Sequence, residues 1–265
     1  MNFRLGEEVS PWSFRFSFTT AHSDETFAGS DRVPNLGGEE TTFRQFALSA
    51  SYRWSDTLQG TVVVPHLSVE RKVGGVEVER LLGASDVTAL VEWRADEESA
   101  WSLIAGLQLP TGEEKKNPAP GVVAPSLLQL GSGTWDPVLG IRWFGSADRW
   151  DHWLSAAALL PFGESDAGLE PGPVIRFDYG IGYRVTEDLR LTLGMEDTMR
   201  SKDTLAGSLL FNTSSTVANL VPGVAWRFDE AWAVTVRARI PVWVEMDGTQ
   251  LAPGPLFELA LDWMP

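Results

Sequence analysis

Residues 12–18 read Trp-Ser-Phe-Arg-Phe-Ser-Phe, so that every second residue is aromatic and the residues between them are polar. Because successive side chains of a β-strand point to opposite faces, this period of two predicts a strand with one apolar and one polar face. The same alternation recurs at residues 46–54 and 101–109. No segment shows a helical period over about eleven or more residues. The sequence therefore predicts an all-β protein.

The alternation continues along the chain and predicts twelve strands, near residues 12–20, 42–54, 57–69, 81–94, 100–110, 126–143, 151–162, 172–185, 189–199, 215–228, 231–244 and 254–264. Short connections alternate with long ones, and the long ones are residues 21–41, 70–80, 111–125, 163–171, 200–214 and 245–253. In an antiparallel meander this places all short turns at one rim, which is typical of outer-membrane barrels. We predict a 12-stranded antiparallel up-and-down transmembrane β-barrel over residues 12–265, preceded by an N-terminal periplasmic arm at residues 1–11.

Composition narrows the class of protein. The 265 residues contain no cysteine, which excludes disulfides and cysteine-based metal or nucleophile sites. With 36 acidic against 21 basic residues the net charge is -15, so no nucleic-acid partner is expected. A mean hydropathy of -0.08 and the lack of long apolar runs exclude a helical membrane protein. Barrel strands alternate, so these averages leave a membrane barrel open.

The 12 tryptophans are the main indication of a membrane. Nine lie close to the predicted short-turn ends of strands, and most share the parity of the apolar face: Trp12, Trp54, Trp93, Trp101, Trp143, Trp150, Trp226, Trp232 and Trp263. A ring of amphipathic side chains at one depth is typical of an aromatic girdle at the lipid headgroups. Trp153 and Trp243 have the opposite parity, which predicts that they fill the lumen or mark a bulge.

The face opposite the apolar one would line the barrel interior, and its cations are arginines rather than lysines. An arginine stays ionised and can hold a carboxylate with two hydrogen bonds. Either these charges form cross-strand ion pairs that fill a narrow interior, or they form a constriction that selects solutes, and both can hold at once. The predicted lumen and selectivity residues are Arg15, Asp136, Arg142, Arg176, Asp178, Glu196, Arg237 and Arg239.

Four short motifs occur in one order: Gly-Ala-Ser-Asp-Val-Thr from Gly83, Gly-Leu-Gln-Leu-Pro-Thr-Gly from Gly106, Leu-Gly-Ser-Gly-Thr-Trp-Asp from Leu130, and Gly-Ile-Arg-Trp from Gly140. This order resembles the outer-membrane family named for the putative meta-pathway of phenol degradation. The resemblance implies a barrel that takes up small hydrophobic or aromatic compounds. It also implies that the chain enters an external loop after Gly112 and re-enters the wall at Leu130. Turn and bulge formation by glycine and proline is the favoured explanation of the motifs.

Enzymatic chemistry is not expected. The three histidines, His22, His66 and His152, have no strand asparagine close by that could complete a Ser/His/Asn set. No cofactor motif and no calcium-loop spacing occur, so neither a cofactor nor a metal is expected.

The sequence thus predicts a channel of the bacterial outer membrane for passive uptake of small hydrophobic, aromatic or anionic solutes through an arginine-rich lumen. Its partners would be outer-membrane lipid and a small-molecule solute. Short turns and both termini would be periplasmic, and the long acidic loops extracellular. A second hypothesis is a structural outer-membrane barrel that sheaths or scaffolds a partner protein. A third is a soluble lipid-binding β-barrel.

Overall fold

A computed structural model describes residues 10–113, 129–166 and 168–265. The strands in this part of the chain are β1 (Trp12–Ser23), β2 (Thr26–Gly29), β3 (Asp31–Val33), β4 (Glu39–Ser55), β5 (Leu58–Val73), β6 (Val76–Ala84), β7 (Val87–Arg94), β8 (Trp101–Leu109), β9 (Asp136–Ala147), β10 (Trp150–Leu159), β11 (Leu169–Glu170), β12 (Val174–Arg184), β13 (Leu189–Arg200), β14 (Thr204–Leu205), β15 (Ser208–Leu209), β16 (Ser215–Arg227), β17 (Trp232–Leu251) and β18 (Leu256–Trp263). Among the described residues, no helix has the length and apolar character needed to cross a membrane.

The wall is a closed barrel of twelve antiparallel strands, and the predicted fold is confirmed. Each wall strand pairs with its neighbours in the chain, and β6 and β7 together act as one wall strand because both pair with β5. Pairing of β1 with β18 closes the cylinder. A closed barrel leaves no edge strand with unpaired backbone groups, which a membrane-spanning sheet cannot tolerate.

The apolar face of the wall points outward. Phe16, Leu48 and Leu193 are exposed on the outer surface, whereas small residues such as Ala225 and Ala260 are buried on the inner side. A soluble ligand-binding barrel has the reverse arrangement, with its apolar face inward and its polar face in water. The observed arrangement therefore contradicts the hypothesis of a soluble lipid-binding barrel.

The short connections lie at one rim, between β4 and β5, β7 and β8, β9 and β10, β12 and β13, and β16 and β17. The opposite rim carries the β2–β3 hairpin, which pairs with β17, and a small separate sheet of β11, β14 and β15. The predicted alternation of short and long connections is therefore present. Residues 1–9 of the predicted arm lie outside the described residues, so the division at residue 11 stays a prediction.

Two predicted long loops were wrong because the strands continue through them. At residues 70–80, β5 and β6 extend the wall as a hairpin, whose turn is formed by Gly74 and Gly75 with φ of 58° and 79°. Positive φ is favourable for glycine, which explains the tight turn. Around residues 245–253, β17 continues to Leu251, beside β2.

The predicted strand at residues 126–143 also differs from the structure. Residues 126–128 lie outside the described part of the chain. Residues 129–135 form no regular strand, apart from one bridge between Trp135 and Phe162, and β9 begins at Asp136. The residues before Asp136 fold against the inside of the wall, as described below.

A β-bulge explains the unexpected parity of Trp243. Ala218 pairs with Trp243 and Asn219 pairs with Pro241, so Val242 is an extra residue in β17. Val242 and Trp243 are consequently both exposed on the outer face. Beyond the bulge the inward positions are Val244 and Met246, which pack in a buried cluster with Val217.

Deletion of Val242 should test this bulge. Without the extra residue, the end of β17 reverses its faces, so Trp243 turns inward and Met246 leaves its cluster. We expect a loss of folding free energy of about 2–5 kcal/mol, the range for removal of a buried core side chain. The measurement is denaturant unfolding in detergent micelles, with Val242→Ala as the control that keeps the bulge. Equal stability of the deletion and the control would contradict the assignment.

Candidate functional site

The barrel interior contains a network of four charged side chains from β13, β17 and β18, here called the ion-pair belt: Glu196, Arg237, Arg239 and Glu258. Arg237 donates through Nη2 to both oxygens of Glu258, at 2.7 and 2.8 Å. Arg239 donates through Nε to Glu196 at 2.8 Å and through Nη1 to Glu258 at 3.4 Å. Glu258 is 8% exposed and joins the two arginines. The belt follows from register, since Arg237 and Glu258 are direct partners across β17 and β18.

Further ion pairs continue around the interior. Arg15 holds Asp262 with two hydrogen bonds, from Nε at 2.7 Å and from Nη2 at 3.1 Å. Arg142 donates to Glu92 at 2.8 Å, and the hydroxyl of Ser102 donates to the same carboxylate. These contacts match the expected bidentate and charge-assisted use of arginine. In this part of the barrel, positive charges are therefore neutralised within the protein.

Trp153 fills lumen space, as its parity predicts. Its indole Nε1 donates to Asp178 at 3.1 Å. Its ring covers Gly180 on β12 and Gly194 on β13. A Cβ atom at Gly180 would lie 2.3 Å from the indole ring, so the position requires glycine. Asp178 therefore fixes the indole against the wall, and the paired glycines make room for it.

Asp136 forms its hydrogen bonds with residues outside the ion-pair belt, and the constriction that it would share with the arginines stays a prediction. Asp136 accepts hydrogen bonds from Thr134 Oγ1 at 2.5 Å and from Gln108 Nε2 at 3.0 Å. Gln108 also donates to Asp86. Asp136 thus belongs to a second cluster, near the long-loop rim, in which the carboxylates accept hydrogen bonds from uncharged donors.

The second cluster is formed by the sequence motifs. Asp86 accepts from the backbone N–H groups of Gly112 at 2.9 Å and Ser132 at 2.6 Å, which ties three motifs to one carboxylate. A Cβ atom at Gly131 would lie 2.7 Å from both Asp86 Oδ1 and the carbonyl oxygen of Gly112. Glycine is needed there because the two segments approach so closely. The motifs therefore do more than form turns, since they dock one loop against the wall.

Leu130 shows that the docked loop lies inside the barrel mouth. Its side chain is 5% exposed and packs with the inward-facing Val69 and Leu81. Gly83, in the first motif, also meets the Leu130 side chain. The loop after residue 128 therefore turns inward before β9 begins.

The described residues leave space in the interior, which includes an outer and an inner cavity. The outer cavity has a volume of 150 Å³ and is lined by Asp86, Gln108, Leu130, Asp136, Val174 and Arg200, among others. The inner cavity has a volume of 300 Å³ and is lined by Arg15, Ser49, Ser51, Arg53, Thr61 and Asp262, among others. The interior is thus only partly filled by its ion pairs.

Arg176 differs from the belt residues. Its ladder partners are Ala157 on β10 and Thr198 on β13, neither of which carries a charge. Its side chain is exposed in the lumen and forms no ion pair or hydrogen bond with another described residue. The structure therefore does not bring Arg176 into the belt with Arg237 and Arg239.

The nine predicted girdle tryptophans all lie at or near the short-turn ends of wall strands. Several contact other aromatic rings: Trp232 with Trp263, Trp263 with Phe14, Trp12 with Tyr52, Tyr52 with Trp54, Trp101 with Trp143, Trp150 with Tyr183, and Trp226 with Phe228. Trp93 is exposed beside them on β7. Their interaction with lipid headgroups is taken up below as a proposal.

Glu258, Asp262 and Glu92 were not among the predicted site residues, although alternation places all three on the polar face of their strands. The missing information was strand register, which parity does not supply. No group of three or more His, Asp or Glu side chains in the described part of the chain could hold a metal ion. The expectation that no metal or cofactor is used stays a prediction.

Loss of Glu258 should destabilise the barrel. Glu258→Ala leaves two lumenal arginines without the carboxylate that joins them, and breaking a buried pair costs about 3–5 kcal/mol. Because both arginines are partly exposed, we expect a loss of about 2 kcal/mol in the free energy of unfolding. Urea titration followed by tryptophan emission measures it.

The control is Glu25→Ala, which removes the partner of Arg32, in a pair of which both side chains are exposed. An exposed pair of this kind is worth about 0–1 kcal/mol. If both variants lose the same stability, the belt does not stabilise the interior.

Solved structures share this fold. An outer membrane channel from Pseudomonas putida F1 superposes with a TM-score of 0.78 at 17% identity, covering 100% of both chains. The β domain of the Bordetella autotransporter BrkA gives 0.58 at 10% identity over 95% of this chain and 99% of that chain. The CymD monoaromatic hydrocarbon channel gives 0.51 at 8% identity over 97% and 89%. Such low identities show the fold alone.

Comparison with curated protein sequences gives no match. A family model described as "Putative MetA-pathway of phenol degradation" matches residues 23–249, which include all four sequence motifs and the cluster around Asp86. Since the match spans most of the chain, the protein belongs to this family.

Proposed function

We propose that the protein is a channel of the bacterial outer membrane that passes small hydrophobic, aromatic or anionic solutes. The observation that carries the proposal is a closed barrel with cavities of 150 Å³ and 300 Å³ inside it. A cavity of about 150 Å³ is large enough for benzene. The names of the Pseudomonas channel and the CymD hydrocarbon channel, which share the fold, support a transport role.

The lumen chemistry supports solutes of low charge. The belt arginines are neutralised by their carboxylates, so a neutral molecule meets fixed dipoles rather than strong net charge. Paired charges also hold their side chains in place, which gives a passage of defined shape.

The outer surface supports a membrane location. The nine tryptophans at one end of the wall would lie at the lipid headgroups, with the exposed aliphatic side chains of the wall in the hydrocarbon. Short turns and termini would then face the periplasm, and the long loops the cell exterior. Outer-membrane lipid and the solute are the partners that this arrangement requires.

Conductance in planar lipid bilayers tests the channel. The wild-type protein should show discrete steps, and Trp153→Ala should raise the step size roughly twofold, because removal of the indole opens the space above Gly180 and Gly194. Trp101→Ala is the matched control, since it removes an indole of the outer surface and should leave the step size unchanged. A folded protein without conductance would contradict the proposal and favour a barrel that scaffolds a partner protein.

Labelling of single cysteines tests the orientation, and the chain has no native cysteine to interfere. Val76→Cys, in the exposed β5–β6 hairpin, should react with a membrane-impermeant maleimide on intact cells. Glu187→Cys, in the exposed short turn between β12 and β13, should react only after the outer membrane is disrupted. The opposite pattern would show that the long loops face the periplasm.

A further inference from the structure

Arg176 is a lumenal cation that forms no ion pair with a described residue, whereas the neighbouring arginines are paired. Arg237 and Arg239 share Glu258 and Glu196, Arg15 holds Asp262, and Arg142 holds Glu92. Arg176 lies on the same inward face of β12 as Asp178, whose carboxylate accepts from Trp153 instead. Among the described residues, its guanidinium forms no such contact.

The acidic groups nearest to Arg176 have other hydrogen-bond partners. The groups that act on it electrostatically are Glu196, Arg239 and Arg200. Glu196 already accepts a hydrogen bond from Arg239 at 2.8 Å, and Arg200 lies 3.4 Å from Asp203. The N–H donors of Arg176 are therefore not filled by a described residue, and a carboxylate can accept from two of them.

The surroundings leave room for a ligand. The ladder neighbours Ala157 and Thr198 are short, so the guanidinium can be approached from the lumen. The next inward residues toward the long-loop rim, Val174 and Arg200, line the outer cavity of 150 Å³. A molecule with its apolar part in that cavity would bring a terminal carboxylate toward Arg176.

We propose that Arg176 binds the carboxylate of a small organic monoanion, with an aromatic monocarboxylate as the fitting class of ligand. A single unpaired guanidinium balances a single negative charge, and its planar fork matches the two oxygens of a carboxylate. The apolar part of the ligand occupies the outer cavity, beside Leu130 and Leu159. The inference rests on the proposed channel function and names the solute that the lumen retains.

Block of the conductance tests the site, with benzoate as the probe and benzamide as its neutral analogue of similar shape. Benzoate should reduce the wild-type current at lower concentrations than benzamide. Arg176→Ala should raise the half-blocking concentration of benzoate about tenfold, since a hydrogen bond between charged groups contributes about 1.5–3 kcal/mol. Arg176→Lys should fall between, because it keeps the charge and loses the fork.

Arg149→Ala is the matched control, since it removes an exposed arginine of a short turn outside the lumen. Far-ultraviolet circular dichroism of each variant in micelles checks the fold, and Arg176→Gln replaces the alanine variant if that one does not fold. Equal block by benzoate and benzamide, or no change on substitution of Arg176, would overturn the proposal. Stronger block by inorganic phosphate than by benzoate would overturn the carboxylate assignment.

Failure of the channel hypothesis is distinguishable from failure of this inference. If the wild-type protein carries no current, benzoate binding is measured by isothermal titration calorimetry in micelles. Binding that weakens about tenfold in Arg176→Ala supports the site without the channel. Absence of binding overturns both.

Discussion

The structure depends on one constraint: every backbone N–H and C=O group of a strand that crosses a membrane needs a partner within the sheet. Pairing of β1 with β18 meets this constraint by removing both edges of the sheet. Once the sheet is closed, each strand has one face toward the surroundings and one toward the interior. The period of two in residues 12–18 follows directly, with aromatic rings outside and Ser or Arg inside.

Closure also determines the character of the interior. A twelve-stranded barrel has a wider interior than an eight-stranded barrel, which side chains can fill. Its interior is narrower than that of an open porin. Polar side chains that enter this space are partly withdrawn from water, so charges are stable there when they are paired. The belt around Glu258 satisfies this condition, whereas Arg176 is exposed in the lumen and forms no ion pair with a described residue. The same physics that explains the belt therefore distinguishes Arg176 from it.

The sequence predicts which side chains of a strand point outward and which point inward, because this depends only on local alternation. The fold, the strand count and the rim of short turns were predicted on that basis and confirmed. Features that depend on the pairing of two strands could not be predicted in this way. The pairing of Arg237 with Glu258 requires the register of β17 against β18. The parity of Trp243 allowed a bulge, but only the pairing of β17 with β16 locates it at Val242.

The hydrogen-bond partners of Asp136 could not be predicted for the same reason. Its inward position follows from the alternation, but β9 begins ten residues later than the predicted start. Those ten residues include the docked loop, whose position is set by contacts of Asp86 with Gly112 and Ser132. Contacts between residues so distant in sequence leave no periodic trace.

The docked loop connects the family motifs with the lumen chemistry. The carboxylate of Asp86 accepts hydrogen bonds from two backbone N–H groups and one side-chain amide. It is therefore not available to pair with a distant cation. The outer cavity is consequently bounded on one side by satisfied acids and on the other by Arg200 and the residues leading to Arg176. An anion that enters the mouth meets hydrogen-bonded carboxylates on the loop side and the guanidinium groups of Arg200 and Arg176 on the β12–β13 side. The motifs thereby shape the approach to Arg176 without contacting it, since they fix the loop that forms the opposite wall of the cavity.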